Sequence, residues 1–453
     1  MPKETMPNKP RNYAGTKDWF GPEVEQRRFV TETASQVFRS FGYEPLETPV
    51  IELAETLNGK YGEEGSRTMY LFTKGGENIG LRYDQTVPLA RVAAQYSNDL
   101  TFPYRRYAIG PVFRADTPQA GRYRQFTQID FDVLGVDSVL ADAEAIAMLY
   151  KITEKLGFED FKVLVSDRDL LTGMAQQVGA TTKEQILTAI RCWDKLAKAG
   201  IDQVLSEVEE VGIDKNLFSE LTDKLLKIEG SNTQIVNSLA EIFGNNETAK
   251  EGIARLRKIV ELVGRMNVAE EKWKISPTLA RGLDYYTGPI FEVEAGKGTG
   301  SIAGGGRYDN LIETLGGPSI TGTGASFGLE RVINVMNQQN LNKDKQSGVD
   351  VFVTVFNQDC LNSSLDIATQ LREAGLSVEI NQTMDKLGKQ FKLADKRQAK
   401  VAIVLGPDEI KEGKATIKYL QQSQGGTKLN QETVLIDEII DKITSRQNDT
   451  KEE

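Results

Sequence analysis

After Gly21-Pro22, apolar residues recur at Val30, Ala34, Val37, Phe38 and Phe41 and stop at Gly42. That spacing predicts an amphipathic helix over residues 23–41, buried along one stripe. Residues 46–53 place Pro49 beside Val50 and Ile51, which reads as an edge or interface strand because proline cannot donate to a ladder. Residues 106–114 alternate as a strand, 115–121 are turn-rich, and a second strand over 122–134 completes an antiparallel hairpin with a long loop. In that second strand, period two puts Arg124, Phe126, Gln128, Asp130 and Asp132 on one face and Ile129, Phe131 and Val133 on the other. A polar row can simply face water; here several hydrogen-bonding types stand beside an aromatic ring, which is the composition of a ligand site.

Residues 167–265 read as helical and polar, with helices at 183–198 and 235–243, and are taken as an insertion. A strand returns at 289–294, followed by the glycine-rich run Ala303 to Asp309, a Gly-Gly-Pro turn, a strand at 325–329 and a helix at 330–336. Residues 337–348 form a polar linker. Beyond it, strands at 350–356, 377–380, 401–405 and 415–419 alternate with helices at 361–374, 386–398 and 434–444, which predicts a compact α/β domain with a mostly parallel sheet. The stretch 446–453 is expected to be a disordered tail.

The chain has 453 residues, 39% hydrophobic and 26% charged, a globular composition that calls for more than one domain. No run of apolar residues is long enough to span a bilayer, and the start lacks the apolar stretch of a secretory signal, so a cytoplasmic location is expected. Cys192 and Cys360 are too few and too far apart for a disulfide framework or a cysteine zinc site. Histidine is absent altogether. That excludes serine–histidine triads, cysteine–histidine dyads and HExxH zinc helices, and leaves chemistry run by carboxylates, arginines, lysines, tyrosines and backbone dipoles. A net charge of -10 argues against nucleic-acid binding by the whole surface. Residues 386–400 nevertheless gather Lys386, Lys389, Lys392, Lys396, Arg397 and Lys400 against Asp395, a candidate RNA contact if it is more than a solvated face. A GxGxxA match at 298–303 lacks the helix and ribose-binding acid of a dinucleotide site and is rejected, and no GxxxxGK[ST] loop occurs.

Five segments concentrate arginine or acid among glycines and aromatics: LRYDQTVPLAR (81–91), GPVFRADTPQAGRYRQFTQIDFDVLG (110–135), ARGLDYYTG (280–288), AGGGRYD (303–309) and GASFGLERV (324–332). Five such clusters in a predicted core require partners, and arginine forks match phosphate oxygens. These segments, in this order, resemble the histidyl-tRNA synthetases. The arginine-loop-phenylalanine hairpin resembles class II motif 2, GLER resembles motif 3, and RGLDYYTG with AGGGRYD resembles the two blocks peculiar to the histidine enzymes.

The resemblance covers nearly the whole chain. It implies an α+β catalytic domain on an antiparallel sheet flanked by helices (1–166 and 266–336), a mostly helical insertion (167–265) and an α/β anticodon-binding domain (349–445). It further implies ATP-dependent ligation of L-histidine to tRNA(His) through a histidyl-adenylate, with Mg2+ carried mainly by ATP. A homodimer would form through the N-terminal helix and the Pro49 strand. Carried over residue by residue, Arg114 and Arg281 are the catalytic candidates, both at the α-phosphate. Asp84, Thr86 and Gln128 would hold the α-ammonium, Asp132 and Tyr286 the imidazole nitrogens, and Tyr285 and Tyr308 the pocket wall, with Gln85, Arg114 and Arg281 also touching the amino acid. Arg114, Asp116, Arg122, Phe126 and Arg331 would hold ATP, Phe126 by stacking. Asp116 stands where the family often has glutamate, so its reach to adenine is shorter. The rivals are a synthetase-like regulatory subunit of ATP phosphoribosyltransferase, an uncharged-tRNA sensor, or a class II synthetase for another amino acid. Regulators commonly lose catalytic arginines, and Arg114, Arg281 and Arg331 are all present.

Overall fold

The computed structural model describes residues 10–58, 68–119, 121–280, 285–296, 300–341, 348–420 and 431–452. The chain divides into two compact units, residues 1–19 with 26–342 and residues 20–25 with 343–453.

The predicted N-terminal helix spans Gly21–Ser40, and its part in the first unit buries Val30, Ala34, Val37 and Phe38, the stripe its period specified. The strand expected over 46–53 is confined to β2 (Ile51–Leu53), after Pro49; a separate short strand, β1 (Glu44–Pro45), precedes it. Strands β3 (Tyr70–Lys74) and β4 (Glu77–Leu81) form a hairpin turned by Gly75 and Gly76, both at positive φ where glycine alone is unstrained. With β2 they make a small three-stranded sheet.

The large sheet holds β5 (Tyr104–Phe113), β6 (Gln125–Leu134), β7 (Phe161–Asp167), β8 (Trp273–Ile275), β9 (Pro289–Ala295), β10 (Ser301–Arg307) and β11 (Gly322–Gly328), in the order β1-β5-β6-β11-β10-β9-β7-β8. It is antiparallel except for its outermost pairs, β1 with β5 and β7 with β8. One face carries Ile129, Phe131 and Val133 into the main core, against the helices Gly21–Ser40 and Val139–Lys155. The other face carries the polar row, and that row is buried too: Gln128, Asp130 and Asp132 are at most 8% exposed.

The polar stretch after β7 folds into helices Arg168–Gln177, Lys183–Ala199, Ile201–Glu210, Lys215–Leu226, Asn232–Phe243 and Glu247–Val263. They share one continuous hydrophobic core with the sheet, through residues such as Leu170, Met174, Ile253 and Leu256. Asp167, fully buried at the N-cap of Arg168–Gln177, takes a two-pronged contact of 2.8 Å each from Arg255 of the last of these helices.

The second unit is a five-stranded sheet of β12 (Val351–Val353), β13 (Val378–Ile380), β14 (Val401–Val404), β15 (Lys414–Tyr419) and β16 (Gln431–Leu435), in the order β13-β12-β14-β15-β16. Strand β12 pairs in parallel with both β13 and β14, while β15 is antiparallel to both β14 and β16. Residues 434–444, expected as one helix, instead end β16 and then begin the helix Ile439–Glu452. Val434, Leu435 and Ile436 form a short apolar run that fits either state, and pairing with β15 decides it. That last helix continues through most of the stretch expected to be disordered.

Candidate active site

The site is built on the polar face of β5, β6 and β11. Register places Arg106 opposite Asp132, Ala108 opposite Asp130 and Gly110 opposite Gln128. On the other side Gly324, Ser326 and Gly328 face Asp132, Asp130 and Gln128. Glycines leave room for side chains from elsewhere. A Cβ on Gly110 would meet Arg82 Nη2 at 2.5 Å, one on Gly306 the Tyr286 ring at 2.8 Å, and one on Gly324 would collide with the Asp132 carboxylate.

Asp132 is the centre of the row. Its Oδ2 lies 2.7 Å from Nη2 of Arg106, whose side chain is wholly buried, and its Oδ1 accepts from the Tyr308 hydroxyl. Arg106 Nη2 also donates to the Gln85 carbonyl at 3.2 Å. Burial pushes the Asp132 carboxyl upward while Arg106 and the Tyr308 hydroxyl oppose it, and burial next to that carboxylate raises Tyr308 well above the usual phenol range. Arg106 Nε and Nη1, Asp132 Oδ2 and Gln128 Oε1 are all buried without a well-formed hydrogen bond among the described residues, so that Arg106 and Asp132 meet chiefly as charges. Unmet polar atoms in a native core call for an explanation, and a polar ligand supplies one.

The segment before helix Thr86–Gln95 closes one side. Arg82 is spent structurally, giving Nε to the Pro111 carbonyl at 2.9 Å and Nη1 to Thr48. Asp84 accepts from the Val87 N–H at 3.0 Å; burial raises its pKa, against that bond and the charges of Arg114 and Arg106. The Gln85 amide donates to the Gln128 carbonyl at 3.0 Å and to the Ala108 carbonyl, so it braces β5 and β6. Thr86 is the first residue of its helix. Opposite, the Tyr285 ring lies 4.6 Å from that of Tyr286 and meets Tyr308 edge-on at 6.0 Å, so the three tyrosines line one wall.

The motif 2 residues sit further along the hairpin. Arg114 gives Nε to the Tyr83 carbonyl at 3.0 Å and holds its guanidinium 5.2 Å over the Phe126 ring, leaving the rest of the fork for other acceptors. Asp132 pairs with Arg106 and not with Arg114. Asp116 and Arg122 are exposed on the loop. Arg331, in helix Leu329–Gln338, packs against Gly300; burial and the nearby Arg122 charge both work against its protonated form. Arg281 lies outside the described residues.

Three participants give no signal of their role in the sequence. Arg106 sits beside Arg105 in a strand and looks like a surface pair. Glu330 is buried, pairs with Arg27 at 2.7 Å and accepts from the Thr127 N–H at 2.9 Å, tying the first helix and β6 to the start of Leu329–Gln338. Arg307 is held by Asp142 at 2.7 Å and the Ser138 carbonyl at 2.8 Å, and Thr323 also donates to Asp142. In the second unit, three cations of the basic run meet acids from outside it: Lys389 with Asp385, Arg397 with Glu379 and Lys400 with Asp350. Lys386, Lys392 and Lys396 are exposed.

An arginine over an aromatic ring on an antiparallel sheet, with a buried polar row farther down the same face, separates this scaffold from the parallel-sheet nucleotide folds. It is the scaffold of the class II aminoacyl-tRNA synthetases. The profile of the family described as "Histidyl-tRNA synthetase" matches residues 15–332, and that described as "Anticodon binding domain" matches 350–446. The chain belongs to the histidyl-tRNA synthetase family. It is 39% identical over 418 residues to a histidine–tRNA ligase of Rhodopirellula baltica, covering 91% of this chain and 93% of the relative. A histidine–tRNA ligase of Cytophaga hutchinsonii is 35% identical over 461 residues, covering 96% and 99%. A histidyl-tRNA synthetase structure from a Nostoc species aligns with a TM-score of 0.84 at 31% identity, covering 96% of this chain and 99% of that one.

Proposed function

We propose that the chain ligates L-histidine to tRNA(His) at the expense of ATP, by the two steps general to this class: adenylate formation with release of diphosphate, then transfer to the terminal ribose of the tRNA with release of AMP. The observation that carries the residue assignment is the buried row in which Gln128 Oε1 and Asp132 Oδ2 keep unused acceptor capacity. Histidine offers donors for both, an ammonium at one end of the molecule and an imidazole N–H at the other.

In this reading Gln128, Asp84 and Thr86 receive the ammonium. A buried carboxylate whose charge is only partly compensated gains a partner when a cation arrives. Asp132, held by Arg106 and Tyr308, accepts from one ring nitrogen, and Tyr286 addresses the other. A wrong amino acid leaves these groups buried and unpaired, which is a strong discriminator. Arg114 neutralises charge building on the α-phosphate while the substrate carboxylate attacks phosphorus, with Arg281 assigned the same task, and Phe126 stacks on adenine. Asp116 and Arg122 on the loop and Arg331 on the opposite side complete the ATP site. ATP enters as its magnesium complex, phosphate oxygens and water being the hard ligands that ion prefers.

The exposed cations Lys386, Lys392 and Lys396, with Lys389, Arg397 and Lys400 beside them, contact the RNA backbone. The chain acts as a homodimer; Ile51, Leu53, Leu71 and Phe72 of the three-stranded sheet, next to Pro49, are 41–50% exposed and supply apolar surface for a second copy. Two free, buried cysteines suit the reducing cytoplasm. Purified protein is tested by amino-acid-dependent pyrophosphate exchange. Exchange with histidine alone, lost in Arg281→Ala, supports the reading. A protein that exchanges with no amino acid overturns it in favour of a regulator.

A further inference from the structure

One carboxyl on the site face has no task in the mechanism above. Asp130 is 2% exposed and stands directly opposite Ser326 across β6 and β11. The Ser326 hydroxyl donates to Asp130 Oδ1 and accepts from Gln128 Nε2 at 3.1 Å. The second end of the Gln128 amide, Oε1, is the buried acceptor left without a partner among the described residues. A glutamine amide has two ends of nearly equal shape and opposite hydrogen-bonding sense, so something must set which end faces a ligand.

We propose that Asp130, acting through Ser326, is a positioning relay that sets the Gln128 amide with its oxygen toward the amino group of the substrate, and that protonation of Asp130 releases the setting. This deepens the proposed function and rests on its assignment of Gln128 to the ammonium.

The logic follows from counting donors. Ionised Asp130 only accepts, so the single proton of Ser326 must point at it, and the lone pair of Ser326 is then free for the Gln128 NH2. The amide oxygen is thereby turned to the ligand. Protonated Asp130 carries its own donor, the Ser326 proton is released, and that proton is offered to the amide oxygen. The amide then turns its NH2 toward the ammonium, donor against donor. No group other than a proton on Asp130 is gained or lost in the switch.

The surroundings keep this titration within working range. Asp130 faces Arg106 from β5, Arg82 and Asp84 from the segment after β4, Asp132 on its own strand and Ser326 from β11. Burial is the largest influence and raises its pKa, Arg106 opposes it, and Asp132 and Asp84 add to it; the result is about 7. Affinity for histidine therefore falls as pH drops through that region.

The test is KM for histidine and for ATP in pyrophosphate exchange, from pH 6 to 9, in the wild type, Asp130→Asn, Ser326→Ala and Ser326→Thr, each first checked by thermal melting. Histidine titrates too, so each variant is read as a ratio to the wild type at each pH. Expected are a rise in KM for histidine of about five- to tenfold in Ser326→Ala at pH 8, an unchanged KM for ATP, and loss of the component near pH 7 in both Asp130→Asn and Ser326→Ala. Ser326→Thr keeps the hydroxyl and the component. If histidine supports exchange but the ratio is flat with pH in both variants, or if KM for ATP moves in parallel, the relay is wrong and Asp130 is merely structural. If the wild type exchanges with no amino acid, the proposed function fails as well.

Discussion

Arg27, on the first helix, reaches the buried carboxylate of Glu330 with Nη1 at 2.7 Å while its Nη2 donates to the Thr127 hydroxyl at 2.9 Å. Glu330 in turn caps the Thr127 N–H. One arginine thus fixes the angle between the N-terminal helix, the hairpin strand beneath Phe126 and the helix that carries Arg331.

Removing that arginine leaves a carboxylate stranded at 4% exposure. Arg27→Met is expected to lower stability by about 3 kcal/mol, the lower end for breaking a buried pair because the arginine is partly exposed. The double variant Arg27→Met/Glu330→Gln should recover much of the loss. Denaturant titration of both compares them directly; equal losses would mean the pair is not what holds this junction.

Tyr308→Phe deletes only the hydroxyl that Asp132 accepts. Bonds to charged groups are the stronger kind, so KM for histidine should rise about tenfold or more. The aromatic wall with Tyr285 persists, and KM for ATP should stay put. A shift confined to ATP would remove Tyr308 from the amino-acid pocket.

Asp142 gives a pH prediction. Burial pushes its carboxyl from 3.8 to about 6 in the folded chain, against the pull of Arg307 and Thr323. A raised folded pKa means the folded state holds the proton more tightly than the unfolded one. This contribution is full below about 4 and is lost as pH rises through about 6. Asp142→Asn should flatten that part of a stability–pH curve. It should also cost stability above about pH 6, where the ionised Asp142 is the charged partner of Arg307. A curve of unchanged shape would place the folded pKa of Asp142 near its ordinary value.

Substitutions on the basic face of Leu387–Lys396 are expected to separate the two chemical steps. Lys386→Ala, Lys392→Ala and Lys396→Ala should weaken tRNA binding and flatten its salt dependence by about 0.7–0.9 in the log–log slope for each phosphate that is no longer neutralised. Pyrophosphate exchange, which needs no RNA, should not change. Arg397→Ala should do less, because Glu379 already occupies that guanidinium at 3.1 Å.

The hairpin and its two faces are legible in the sequence because period two is a local property: Ile129, Phe131 and Val133 lie in the core as their spacing requires. What the pattern does not contain is partnership. Arg106 becomes a buried ion-pair member only because the hairpin brings Asp132 alongside it. Asp142 lies in an alanine-rich helix, and its partner Arg307 is 165 residues away. The basic run shows the same limit in reverse, since the acids that meet half of it come from Asp350, Glu379 and Asp385. The break at residues 434–444 is invisible in the sequence because a three-residue apolar run has no period to read.

The glycines of the sheet have a consequence for how selectivity can be lost. A methyl group on Gly324 would meet the Asp132 carboxylate and the Phe131 carbonyl, one on Gly306 the Pro289 carbonyl and the Tyr286 ring, and one on Gly110 the Arg82 guanidinium. None of these three positions offers a functional group to a substrate, yet each sets the depth of the recess in which the functional groups stand. On the proposed assignment the recess is shaped as much by missing atoms as by present ones, and one added carbon on its floor would alter which amino acid fits while every side chain given a role kept its identity.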